Sequence, residues 1–182
     1  MILQPGDVIC TRGNSWVSKS IRFFSRGIGE SRTEVNHAGV IVWGDRITRA
    51  IVVEALAKVM SHGLWAKYGK SGDEVAVFRN TKITNLDRMK VAQKARTYVG
   101  RKYGYFKIVT HVLDYALFGL NVFRRLNQVE KYPICSWLVA KAYAEIGLDF
   151  GVPYAEAAPD HLFDYCLESP DWELVRPLGR LS

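Results

Sequence analysis

The stretch Tyr132-Pro133-Ile134-Cys135-Ser136-Trp137-Leu138-Val139-Ala140 joins a proline to the start of an apolar run that favours a helix. It predicts a helix that begins near Cys135 and ends at Gly147. The exposed N–H groups and the positive end of a helix dipole favour a thiolate over a thiol at such a position. Cys135 is therefore a candidate nucleophile, although a cysteine at a helix start can also serve only for packing.

Two strand-like runs earlier in the chain contain groups that would activate such a thiol. His37 begins an apolar run over residues 37–43, and Glu54 is the only acid in the run over residues 50–56. A carboxylate among apolar neighbours needs a partner, because burying it alone is costly. His37 across a hairpin would be that partner, and Glu54 would orient its ring. The alternatives are a core histidine and a solvent-facing glutamate on an edge strand. Cysteine, histidine and carboxylate together are the parts of a thiol hydrolase or acyltransferase.

The other cysteines and histidines give weaker signals. Cys10 and Cys166 lie among apolar neighbours and are expected in the core. An odd count of three cysteines without paired spacing argues against a disulfide framework or a zinc site, and no cofactor or metal is expected. Among the remaining histidines, His161 is expected to be exposed, while His62 and His111 have no clear role.

The composition is that of a globular protein, with 48% hydrophobic and 24% charged residues in 182. It predicts a single domain over residues 1–182 without a membrane span. No signal peptide is visible, so the expected compartment is the cytoplasm, with phage delivery or leaderless export as alternatives. The net charge of +7 is expected to reflect solvated helix faces. An anionic membrane surface is the alternative partner, and no nucleic-acid-binding motif is present.

The periodicity of the chain predicts strands early and helices late, which indicates an α+β class. Strands are predicted at 7–11, 37–43, 50–56, 74–78 and 172–175, the last ending before Pro177. Helices are predicted at 16–24, 84–99, 135–146 and 160–167. The helix over 84–99 is expected to bury the stripe formed by Leu86, Met89, Ala92, Ala95 and Tyr98. Residues 59–68 leave strand and helix open.

These residues occur in an order that resembles the circularly permuted papain-like hydrolases, the permuted branch of the NlpC/P60 superfamily, and within it the YiiX-like proteins. The blocks that carry the resemblance are Gly6-Asp7-Val8-Ile9, His37-Ala38-Gly39-Val40-Ile41, Val53-Glu54-Ala55, Tyr98-Val99-Gly100-Arg101-Lys102-Tyr103-Gly104, Ile134-Cys135-Ser136-Trp137-Leu138-Val139 and Ala158-Pro159-Asp160-His161-Leu162. The resemblance implies a small antiparallel sheet packed by the cysteine-bearing helix and further helices. It also implies Cys135 as nucleophile, His37 as base and Glu54 as the third polar residue. In papain-type enzymes the cysteine comes first, whereas here His37 precedes it.

The expected activity is an amidase or peptidase reaction through a thioester, with the Cys135 backbone N–H helping to hold the oxyanion. Trp137, which stands where the family often has glutamate, is a candidate for the substrate pocket together with Tyr103 and Tyr105. Residues 105–132 are either a lid or pocket-wall insertion or a core helix. The alternatives are a lipid acyl hydrolase or acyltransferase at a membrane surface and a binding module without catalytic activity.

Overall fold

The computed structural model describes residues 1–13, 34–102 and 134–181. Within these ranges the chain forms six strands, β1 (Val8–Arg12), β2 (His37–Trp43), β3 (Ile51–Ala55), β4 (Val59–Gly63), β5 (Glu74–Asn80) and β6 (Trp172–Arg180). The same ranges contain four helices, α1 (Leu64–Tyr68), α2 (Asn85–Arg96), α3 (Cys135–Ala144) and α4 (Pro159–Glu168). The predicted α+β class is confirmed. The helix predicted at 16–24 and the segment 105–132 lie outside the described residues.

The six strands form one antiparallel sheet in the order β4-β3-β2-β1-β5-β6. Both faces of the central strands pack against other parts of the protein, so β1, β2 and β3 consist mostly of apolar residues. One face packs against the long helices through Val8, Val40 and Phe78. The other face packs through Ile9 and Ile41 against α1 and the two ends of the chain. In the strand order of the sheet, β3 lies between β2 and β4, so it is an interior strand and not an edge strand.

The helical layer places α3 against β2, with α2 packed on both and α4 against β6. Helix α2 begins after Thr84, as predicted, with a reciprocal capping box between Thr84 and Asp87. The predicted buried stripe was partly wrong, because Leu86 and Met89 are exposed. The helix is rotated so that Arg88 turns inward, and its Nη2 donates to a backbone carbonyl at the end of β5.

One strand boundary differs from the sequence prediction, and one segment that the sequence left open is now defined. Strand β6 does not end before Pro177 but continues to Arg180. Proline is tolerated there because β6 is the edge strand and its register with β5 is irregular. Residues 59–68, which sequence left open, form strand β4 and then helix α1, with Gly63 at the junction. Among the described helices, each is too short or too polar to cross a lipid bilayer.

Candidate active site

Cys135 is the first residue of α3. Its predecessor Ile134 has an extended backbone and provides no side-chain cap. The Leu138 N–H donates to the Ile134 carbonyl at 2.9 Å, so the N–H groups of the first turn point back toward the thiol end of the helix. The helix start therefore supplies the electropositive backbone that the sequence predicted around this sulfur.

His37 and Glu54 meet across the antiparallel pair β2 and β3. His37 Nε2 and Glu54 Oε2 are 2.6 Å apart, and the Glu54 side chain is fully buried. Gly39 is the strand partner of Glu54. A Cβ at Gly39 would lie 3.1 Å from the Glu54 Cβ and 3.0 Å from a Val52 methyl. Glycine at this position thus leaves room for the buried carboxylate, which does not face solvent.

The Cys135 thiol lies beside the His37 ring, close enough for each group to shift the pKa of the other. Since Nε2 is engaged by Glu54, Nδ1 is the ring nitrogen left for the sulfur. Burial alone would lower the pKa of His37, but the charges of Glu54 and Cys135 outweigh it and raise that pKa to about 10. Burial alone would raise the pKa of the Cys135 thiol, yet His37 and the N–H groups of Ala38 and Ser136 hold it below the ordinary value. The arrangement favours a thiolate beside an imidazolium.

Glu54 has two further partners that sequence reasoning missed. His62 Nε2 lies 2.5 Å from Glu54 Oε1, and the Tyr68 hydroxyl donates to Glu54 Oε2 at 2.7 Å. Burial alone would raise the pKa of Glu54, but His37 and His62 hold it well below its usual range. Strand pairing accounts for the contact with His62: β4 pairs with β3 and places His62 opposite Val52, two residues from Glu54 on the same face.

The chain just before His37 is fixed by two buried polar side chains. Asn36 Oδ1 accepts from the Gly13 N–H at 3.1 Å. Asp160 Oδ1, in the first turn of α4, accepts from the N–H groups of Glu34 at 2.9 Å and of the next residue at 3.4 Å. These bonds tie the entry of β2 to β1 and to α4. Through them Asp160, which is distant from His37 in sequence, lies next to the strand that carries His37.

The three residues predicted to line a substrate pocket fall in two groups. Trp137 is buried, and its ring packs edge-on against Tyr98 and Tyr154 at centroid distances of 5.3 and 6.0 Å. It lies in the aromatic core of the helical layer. Tyr103 and Tyr105 lie outside the described residues.

The remaining cysteines and histidines fit a structural role. Cys10 and Cys166 are buried as predicted, and burial raises the pKa of both thiols. The prediction that His161 is exposed was wrong. Its ring is partly buried, and Nε2 lies 2.8 Å from the Phe150 carbonyl oxygen, which holds the ring inside the loop after α3. His111 lies outside the described residues.

No cluster of three His, Cys, Asp or Glu side chains with the geometry of a metal site occurs in residues 1–13, 34–102 or 134–181. No protein-family model matches this chain, and no curated protein matches it significantly. The fold and the site define an α+β protein whose antiparallel sheet and helix start bring a cysteine next to a histidine that is paired with a buried glutamate.

Proposed function

We propose that the protein is a cysteine-dependent hydrolase that acts on an amide or ester through a thioester intermediate. The observation that carries the proposal is the placement of Cys135, at a helix start, beside a His37 ring that is paired with the buried Glu54. A lowered thiol pKa, a base on a rigid strand and a buried orienting carboxylate are the requirements for an activated sulfur nucleophile.

In the acylation step, the Cys135 thiolate attacks the substrate carbonyl carbon and forms the C–S bond. The oxygen that becomes negative is held by backbone N–H groups at the start of α3, where we place the Cys135 N–H. When the tetrahedral intermediate collapses, the bond to the leaving group breaks, and the His37 imidazolium gives that group its proton. The products of this step are the released amine or alcohol and an acyl thioester on Cys135.

In the deacylation step, neutral His37 takes a proton from water, and the resulting hydroxide attacks the thioester carbon. The C–S bond then breaks, the acid product leaves, and the thiolate–imidazolium pair is restored. Glu54 stays ionised throughout and stabilises the imidazolium. The overall reaction consumes only the substrate and one water molecule.

The permuted papain-like assignment is part of this proposal. Two features support it: the antiparallel sheet carries His37 and Glu54 on neighbouring strands, and α3 packs against β2 with Cys135 at its start. Because a site depends on position in space and not on position along the chain, the reversed order of His37 and Cys135 leaves the chemistry unchanged. The lipid alternative depends on residues 105–132, which lie outside the described residues.

Thiol labelling tests the activated cysteine without knowledge of the substrate. The protein would be treated with iodoacetamide at about pH 6, below the ordinary thiol pKa, and labelling of each cysteine peptide followed by mass spectrometry. We expect selective labelling of Cys135, which is lost in His37→Ala. Cys10 and Cys166 are internal controls, because both are buried with raised pKa values. Equal slow labelling of all three cysteines would overturn the proposal.

Turnover is tested with 4-nitrophenyl esters and peptide 4-nitroanilides. We expect a signal from the wild type and none from Cys135→Ala, whose folding should be preserved, while Cys166→Ala retains activity. Cys135→Ser is a further check, since a hydroxyl in place of the thiolate should slow the reaction strongly. Activity retained in purified Cys135→Ala would overturn the mechanism. A labelled Cys135 with no turnover on any ester or amide would favour the binding module.

A further inference from the structure

Glu54 is bonded on both of its oxygens. Oε2 faces His37 Nε2 and the Tyr68 hydroxyl, and Oε1 faces His62 Nε2 at 2.5 Å. The proposed triad uses only the Oε2 side. The Oε1 contact places a second imidazole on the same buried carboxylate, on a strand that the proposed mechanism does not otherwise involve.

Both ring nitrogens of His62 face hydrogen-bond acceptors. Nε2 points to the carboxylate of Glu54, and Nδ1 lies 3.3 Å from the Gly63 carbonyl oxygen. A neutral imidazole carries one N–H and would leave a lone pair against one of these acceptors. The imidazolium donates to both. The hydrogen bond and charge of Glu54 raise the pKa of His62, in keeping with that protonation state.

The charged groups that act on His62 come from β3 and α1. Glu54 faces it from β3, and Lys67 of α1 opposes its charge at longer range. Tyr68 of α1 reaches the same carboxylate and is kept neutral, because burial and the charge of Glu54 raise its pKa well above the ordinary value. His37 of β2 lies on the far oxygen. Two imidazolium rings thus share one carboxylate. The Glu54 carboxylate offsets one of their positive charges, and the Cys135 thiolate offsets the other.

We propose that His62 is a positioning residue that holds Glu54 Oε1 as an imidazolium. The negative charge of Glu54 is then divided between His62 and His37, and His37 holds its proton less tightly. The inference rests on the proposed function, because it concerns the acid–base group of that site. A His37 ring facing an unshared buried carboxylate would keep its proton strongly and transfer it slowly to a leaving group. Repulsion from a second imidazolium on the same carboxylate weakens that hold.

Histidine-selective ¹⁵N NMR on the full chain tests the charge and the coupling. The chain has four histidines, so the ring signals can be assigned by single replacements. The first expected result is a doubly protonated His62 ring in the wild type at about pH 7, above the ordinary histidine pKa. This measurement needs no variant.

The second measurement compares the His37 titration in the wild type with that in His62→Gln, which keeps an N–H donor near Glu54 but removes the charge. We expect the titration midpoint of His37 to rise by on the order of one pH unit in His62→Gln, because one nearby positive charge is lost. Met60→Ala is the matched control, since Met60 is the strand partner of Glu54 on β4 and carries no charge. Its His37 midpoint should equal that of the wild type.

A neutral His62 in the wild type at about pH 7 would overturn the inference. So would a His37 midpoint in His62→Gln that is unchanged or lowered, because a purely structural role loosens Glu54 and lowers the midpoint. Failure of the proposed function gives a different result. Cys135 would then react with iodoacetamide like an ordinary thiol in the wild type, whatever the state of His62.

Discussion

Glu54 is the residue on which the electrostatics of the site depend. Its carboxylate lies inside the sheet, out of contact with solvent, where a lone charge would be costly. Donors on three different elements, His37, His62 and Tyr68, offset that cost. The same bonds place a negative charge next to the base of the site. Stability and thiol activation therefore depend on one side chain, and they can be separated by experiment.

Replacing Glu54 with glutamine should weaken activation of the thiol. The amide is nearly the same size but carries no charge, so the pKa of His37 falls and the pair with Cys135 shifts toward neutral thiol and imidazole. A loss of one pKa unit corresponds to about a tenfold smaller charged fraction. We expect iodoacetamide labelling of Cys135 at about pH 6 to slow by about tenfold or more. Glu74→Gln, at the partly exposed partner of Arg12, is the control. Equal rates in wild type and Glu54→Gln would contradict the expectation.

The same variant should change how stability depends on acid. The pKa of Glu54 is lower in the folded protein than the ordinary 4.5. As pH falls through that ordinary value, the unfolded chain takes up the proton first, so the stabilisation present above it is lost. The extra slope is at most about 1.4 kcal/mol per pH unit for one proton. Urea unfolding between about pH 5 and 3 should show this slope in the wild type and not in Glu54→Gln. Parallel slopes would show that Glu54 does not carry this linkage.

At the residue scale, local pattern was enough to predict the contact between His37 and Glu54, because two neighbouring apolar strands each contained one polar side chain. His62 and Tyr68 were not predicted as its partners. Their segment switches from strand to helix at Gly63, and neither the period of two nor the helical period persists long enough to be recognised. Hydrogen bonds from a strand and a helix to one carboxylate depend on tertiary packing.

At the scale of elements, the position of β2 depends on α4 through Asp160. This side chain accepts two backbone N–H groups just before His37, so it fixes the strand entry that carries the base. Asp160→Ala would leave these N–H groups without that acceptor, and each buried unsatisfied group costs about 1–3 kcal/mol. We expect a lower free energy of unfolding and slower labelling of Cys135, because the His37 ring is no longer held in place.

The control for Asp160→Ala is Glu168→Ala, at the exposed end of the same helix. Urea unfolding and Cys135 labelling should both match the wild type in that control. Wild-type labelling in a destabilised Asp160→Ala would show that the bonds stabilise the fold without positioning the base.

The elements themselves were largely predictable where one local rule dominated. The start of α2 followed from Thr84, and β1, β2, β3 and β5 followed from short apolar runs. The buried face of α2 was predicted only in part, because helical periodicity favours apolar residues on that face and gives no reason to place Arg88 there. In the fold its guanidinium finds a carbonyl and a carboxylate inside the protein. These partners lie outside the helix, at the end of β5 and just before β1, and leave no mark on the periodicity of the helix.

At the scale of the whole molecule, a buried ion network joins the sheet to the helical layer. Asp7, just before β1, is fully buried and accepts from Arg79 of β5 at 2.8 Å (Nε to Oδ1) and 2.6 Å (Nη2 to Oδ2). Arg88 of α2 approaches the same carboxylate, with Nη1 3.7 Å from Oδ1. Burial raises the pKa of Asp7 even though Arg79 opposes it. The network thus holds a charge that is tolerated only while its arginine partners remain.

Breaking this network should cost far more than breaking an exposed pair of the same chemistry. Arg79→Ala leaves Asp7 buried without its bidentate partner, for which the expected loss is about 3–5 kcal/mol in the free energy of unfolding. Arg12→Ala removes an arginine from Glu74, a pair in which both side chains are about one-third exposed, and should cost at most about 1 kcal/mol. Urea unfolding at about pH 7 compares the two variants directly.

The pH dependence of the Arg79→Ala loss distinguishes a charge effect from a packing effect. At about pH 4 the Asp7 carboxylate that has lost Arg79 can take up a proton, since its pKa is already raised by burial and rises further without that arginine. The penalty of Arg79→Ala should therefore shrink on acidification, whereas a lost packing contact costs the same at both pH values. An unchanged penalty would assign the loss to packing. Selective labelling of Cys135 should persist in the folded variant, because Asp7 and Arg79 make no contact with the triad among the described residues.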